Sequence, residues 1–204
     1  SSIIGKLFPF FLIPILTGNL TPSEYGSWAL FIATLSFVDP LITCSAQTYL
    51  AKNHFQTTVV ERQNIIFNIL SIFLCNFLIT LIAGSIFYLL SQSISILFLL
   101  VPVLSVLNAF ITLRLLILRN ENKAITFGLI EISKIGLCFS IAVTLVVFTE
   151  LSWIGCVIGF LVGTLIISFQ SIYAMLKWPL NFNFFNFELI KKVYILSLPL
   201  LPVG

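Results

Sequence analysis

The sequence predicts an all-α polytopic membrane protein, and three observations carry that prediction. Of its 204 residues, 59% are apolar and only 8% charged, roughly a third of the charged fraction of a soluble domain. The mean hydropathy is +1.15. Runs such as Ile69 to Phe87 are apolar on both faces, which suits a helix in lipid and not a barrel strand that alternates between lipid and lumen. The apolar share is about 120 residues, enough for six crossings at about 20 residues each. Ten basic and seven acidic side chains, with 21 Phe, exclude a disordered chain, a nucleic-acid-binding domain and a secreted disulfide scaffold. The four cysteines lie in apolar runs and read as small buried hydrophobes.

Apolar runs between polar punctuation place spans at 4–18, 26–50, 63–90, 96–118, 124–148 and 153–176, with a seventh beginning near 189. Residues 1–180 form a six-helix lobe on this reading, and 181–204 a cytoplasmic linker and the start of helix 7. No Met stands at position 1 and the chain stops inside the apolar run Leu198 to Gly204, so a fragment of a longer protein is expected. Lys6 is the one charge in the first fourteen residues, a poor match to a signal peptide.

Orientation follows from the basic residues. Lys6, Lys52, Arg62, Arg119, Lys123, Lys177, Lys191 and Lys192 fall at the start of the chain or in every second connection, whereas the intervening loops carry Glu24 and Glu150 and no Lys or Arg. This pattern puts the N-terminus in the cytoplasm. Tyr25, Trp28, Tyr88 and Trp153 then fall at the outer interface, and Tyr49, Tyr173, Trp178 and Tyr194 near the inner one.

The loops are too short for an extramembrane catalytic domain, so the helices must carry the function. Helix 2 holds Asp39 followed by Pro40, a charge and a missing backbone donor together. Three readings stand for the pair: gating or ion coupling, a helix break, or a shorter helix 2 with the pair near its end. In helix 3, Asn64, Asn68, Ser71 and Cys75 step by four, three and four, which puts them on one side. Helix 4 repeats the pattern with Ser105, Asn108 and Thr112 after Pro102, a candidate kink. Both stripes suit either interhelical hydrogen bonding or the wall of a polar passage. Glu131 and Lys134 share a face of helix 5, as a self-neutralising pair or as charges facing a cavity. Arg114 lies off the helix 4 stripe and is expected to snorkel. Gly155, Gly159 and Gly163 form a doubled GxxxG ridge expected to serve helix packing. No catalytic set, metal cluster, nucleotide loop or cofactor motif is present, and the single His54 reads as a solvated loop residue.

The segment Lys6 to Gly26 holds interior prolines and then Leu20-x-Pro22-x-x-Tyr25-Gly26; near the other end, Lys191 and Lys192 precede Leu198-Pro199-Leu200-Leu201-Pro202. Lys6 and Pro14 align with Lys191 and Pro199 at an offset of 185, a faint internal repeat. These features resemble polysaccharide biosynthesis membrane proteins, the Wzx-type repeat-unit flippases of the MATE-like exporter superfamily. The chain departs from them in lacking a Gly-containing end to helix 2. The resemblance implies a MATE-like N-terminal six-helix lobe, in the bacterial inner membrane, that moves an undecaprenyl-pyrophosphate-linked oligosaccharide between leaflets by alternating access. Lys134, Arg114 and Lys6 are then the candidates for the pyrophosphate, and Asn64, Asn68, Asn108 and Thr112 for sugar hydroxyls. Asp39, Pro40 and Glu131 are the candidates for gating or for coupling to H+ or Na+. Other polysaccharide assembly proteins are implied partners. The competing expectations are a cation-coupled multidrug or metabolite antiporter of the same superfamily and a membrane assembly subunit without a transport cycle.

Overall fold

The computed structural model describes residues 13–53, 57–90, 95–149, 151–176 and 186–197, and all regular structure in them is helical. Residues 13–19 are helical (α1) and are followed by α2 (Pro22–Thr43), α3 (Ala46–Asn53), α4 (Val59–Leu90), a 3-10 turn (Ile96–Leu99), α5 (Leu100–Asn120), α6 (Ala124–Phe148), α7 (Ser152–Leu176) and α8 (Phe187–Ser197). Five helical stretches are long and apolar enough to cross a bilayer: Pro22–Thr43, Val59–Leu90, Ile96–Asn120, Ala124–Phe148 and Ser152–Met175. The protein is therefore an all-α, multi-pass membrane protein. Most of the expected first span, with Lys6, and the segment Leu198 to Pro202 lie outside the described residues.

Local chemistry sets the helix ends. Thr21 caps α2 reciprocally with Glu24: the Thr21 N–H donates to Glu24 Oε2 at 2.8 Å, while Thr21 Oγ1 accepts from the Glu24 N–H. Pro22 fills the first helical position, where its missing donor costs nothing. Thr58 and Glu61 repeat the arrangement before α4. Thr21→Ala should therefore lower stability by about 1 kcal/mol, read as an earlier melt in detergent. At 32 residues, α4 is about 48 Å long and exceeds the hydrocarbon core of about 30 Å, so it tilts or projects. Asn122 at φ 57° closes the short turn between α5 and α6, helped by the Lys123 N–H donating to the Leu118 carbonyl at 2.9 Å.

Three sequence expectations change. The expected 26–50 span is two helices: Cys44 and Ser45 both take left-handed backbone, at φ 45° and 50°, between α2 and α3. Pro40 cannot donate to the Ser36 carbonyl and so weakens the turn that precedes this break. Pro102 does not kink a helix interior. It stands in the first turn of α5, just after the 3-10 segment, where no intrahelical donor is lost. Trp28 is not an interface anchor but a core residue, 6% exposed, stacked on Phe31 and edge-on to Phe160.

The core has two main clusters, one at each end of the bundle. Leu16, Trp28, Phe31, Leu35, Val101, Leu104, Val146 and Cys156 join α1, α2, α5, α6 and α7 at the end where α2 and α7 begin. Ile42, Leu50, Ile66, Ile69, Phe73, Leu113, Met175 and Val193 join α2, α3, α4, α5, α7 and α8 at the other. Lys52, Arg62, Arg119, Lys123, Lys191 and Lys192 all belong to chain segments at this second end. The contact of α6 with α7 is set by glycine. A Cβ on Gly159 would lie 2.5 Å from the Cα and N of Ala142, and one on Gly163 would lie 2.8 Å from the Cα of Cys138. Gly155 meets Leu145 less tightly, at 3.1 Å.

Candidate functional site

Between the two core clusters, α2, α5 and α6 bring Asp39, Ser105, Asn108 and Lys134 together. Lys134 lies ten residues into α6, about 15 Å from its start, so its charge is held near the middle of a helix long enough to span. Its Nζ donates to Asn108 Oδ1 at 2.8 Å. It makes no ion pair with Glu131 or with Asp39, although both carboxylates act on it electrostatically. The i, i+3 spacing of Glu131 and Lys134 is therefore not used for direct pairing; the amine reaches across to α5 instead.

Asp39 is the acidic member. It stands four residues before the end of α2, where the carbonyl end of the helix disfavours a carboxylate. Its surroundings offset this: Ser105 and Asn108 face the carboxyl, and Lys134 supplies opposite charge. Asp39 Oδ1 and Ser105 Oγ are nevertheless buried without a hydrogen-bond partner, and Ser105 is 0% exposed. Within this polar cluster both atoms keep hydrogen-bonding capacity that no protein bond fills.

Asn108 is the node of the cluster. Besides accepting from Lys134, it offers its carbonyl to the Thr112 hydroxyl at 2.9 Å, and Thr112 Oγ1 accepts from Gln47 Nε2 on α3 at 2.7 Å. The stripe Ser105, Asn108, Thr112 thus faces protein along its length and connects the mid-bundle charges to the helix break. Gln47 was not legible as a member, because the sequence places it on a continuous helix 2 and only the break turns α3 toward α5.

The remaining candidates lie elsewhere. Arg114 donates to the Gln170 carbonyl at 2.7 Å and ties α5 to α7 rather than joining Lys134. Asn68 is fully buried. Its amide donates to the Asn64 carbonyl and to Asn64 Oδ1, while its oxygen accepts the Asn186 N–H at 3.0 Å, so this pair anchors the start of α8. Cys75, expected on the same buried side, is exposed. The buried face of α4 runs instead through Ile65, Ile69, Ile72 and Asn76, where isoleucine fills the positions between the asparagines.

A cleft of about 700 Å³ opens between α2 and α4 and is closed behind by the 3-10 turn and α5. Leu30, Phe37, Leu41, Phe87 and Pro102 give it an apolar wall, and Ser27, Tyr88, Ser95 and Trp153 place polar groups toward one end. Val38 and Leu41 line it on either side of Asp39 in the chain. Among the described residues no cluster of His, Cys, Asp or Glu could hold a metal ion.

The fold and site define a multi-pass helical membrane protein with an acid, a base and polar groups enclosed at mid-bundle. No protein-family profile, no characterised protein and no solved structure matches this chain.

Proposed function

We propose that this chain is part of a transporter that moves an undecaprenyl-pyrophosphate-linked oligosaccharide across the bacterial inner membrane by alternating access. The basic end of the bundle faces the cytoplasm on this reading. The observation that carries it is the Lys134 amine, held in the bundle by a neutral amide rather than by a carboxylate. Only one of its three donors is used by Asn108, which leaves capacity for an anionic group. A pyrophosphate must shed water to cross hydrocarbon, and an enclosed cation with neighbouring hydroxyl and amide groups offsets that loss. The apolar cleft beside Asp39 suits the prenyl chain, which need never leave an apolar environment. Asp39, opposite Lys134, is the group through which H+ or Na+ would couple, and its unpartnered Oδ1 also supports the second reading, an antiporter for cationic solutes.

Charge reversal separates these readings. In cells that rely on the protein, Lys134→Glu should abolish surface polysaccharide and leave lipid-linked repeat units in the inner leaflet, with normal amounts of protein in the membrane. Unchanged surface polysaccharide would refute the flippase. Retained or stronger efflux of a cationic dye by the same variant would favour the antiporter.

A further inference from the structure

The chain from α8 to the break in α2 is made of bonds that the transport site does not use. At the break, the left-handed turn at Cys44 and Ser45 takes the Ile42 carbonyl out of the helical ladder, and a buried carbonyl without a donor is costly. Asn76 of α4, 8% exposed, supplies that donor: its Nδ2 reaches the Ile42 carbonyl at 3.1 Å. The other half of the same amide faces α8, where the Tyr194 hydroxyl donates to Asn76 Oδ1 at 2.7 Å. Both bonds fix which way the amide points. An Asn76 released by Tyr194 could rotate away from Ile42.

The rest of α8 is held to the same end of the bundle. Asn186 caps it by accepting the Leu189 N–H at 3.2 Å while giving its own N–H to Asn68. Val193 is fully buried in the cluster that contains Ile42, Ala46 and Leu50. One face of α8 is therefore inserted beside the break, and Tyr194 is its polar contact there. Asp39 lies three residues before Ile42, within one helical turn, so the pose of the last turn of α2 is also the pose of the carboxyl.

We infer that Asn76 is a positioning residue and that Tyr194, Asn76 and the Ile42 carbonyl form a latch by which docked α8 holds the α2 break and, through it, Asp39. Withdrawal of α8 removes the bond that orients the amide, frees the Ile42 carbonyl and loosens the segment from Pro40 to Ser45. The latch rests on this geometry and not on the identity of the transported molecule, so it can hold if the flippase reading fails.

Cys44 lies in the break, buried at 8%, beside both Asn76 and Tyr194, and so reports on it directly. The experiment measures N-ethylmaleimide labelling in membranes on protein retaining only Cys44, with a companion retaining only Cys156, which is buried in the opposite core cluster. Tyr194→Phe should speed labelling of Cys44 about three- to tenfold, the range expected for one net hydrogen bond, and leave Cys156 unchanged. Asn76→Leu should have at least as large an effect. An unchanged Cys44 rate in Tyr194→Phe overturns the latch. So does a parallel rise at both cysteines, which would mean general loosening of the bundle.

Discussion

Gly159→Ala is expected to destabilise the protein more than any other single added methyl on the α6–α7 seam, by about 3 kcal/mol, at the upper end of ordinary overpacking. The new carbon would lie 2.5 Å from two backbone atoms of Ala142, and backbone cannot step aside as a flexible side chain can. The helices must separate instead, and each lost ångström forfeits dispersion contacts along the seam. Gly163→Ala should cost somewhat less, about 2 kcal/mol, since the nearest atom is the Cys138 Sγ at 2.6 Å, although the Cα and N at 2.8 Å remain. Gly155→Ala should be milder still. Gly128 and Gly136 on α6 have nothing within 4 Å of an added Cβ, and alanine there should be neutral or stabilising by up to about 1 kcal/mol through helix propensity. Unfolding in mixed detergent micelles checks the order. Equal effects at Gly159 and Gly136 would contradict close α6–α7 packing.

Lys134→Met is expected to cost about 2–3 kcal/mol of stability and to stop transport. It removes the cation that acts on Asp39 and leaves Asn108 Oδ1 without its donor; stranding one member of a buried ion pair costs about 3–5 kcal/mol, and Lys134 and Asp39 are not in direct contact, hence the smaller figure. Combining it with Asp39→Asn removes both charges. That double variant should recover more than half of the stability while remaining inactive, because the cation is gone. Additive losses in the pair would mean that Asp39 and Lys134 do not act on one another. Recovery of transport along with stability would mean that Lys134 serves the fold alone.

Much of the architecture was legible because the bilayer imposes simple rules. Five of the expected spans, all among the described residues, were readable from apolar run length, and the ends sharing basic residues from charge alone. The glycine ridge was also readable, since three glycines four apart have one dominant use in a helix. What the sequence concealed depends on long-range partners. The helix break at Cys44 and Ser45 carries no glycine, and the side-chain donor to its Ile42 carbonyl is Asn76, more than thirty positions away. Asn76 itself was passed over because the small-residue stripe led to Cys75, its exposed neighbour. Within the candidate site, Asn108 and Lys134 were identifiable as polar residues in apolar helices. Their direct bond was not, because an i, i+3 carboxylate offered Lys134 a local partner that the fold does not use.

Passage of a pyrophosphate-linked lipid along the Lys134 cation is the proposal on which the functional reading rests. It is tested most directly by reconstituting the protein in vesicles with a fluorescent polyprenyl-pyrophosphate oligosaccharide and following its movement between leaflets by quenching from outside. Protein-dependent translocation is expected, falling at least tenfold in Lys134→Gln, a loss corresponding to about 1.4 kcal/mol or more at the rate-limiting step. Translocation no faster than in protein-free vesicles, or equally fast with Lys134→Gln, would contradict it.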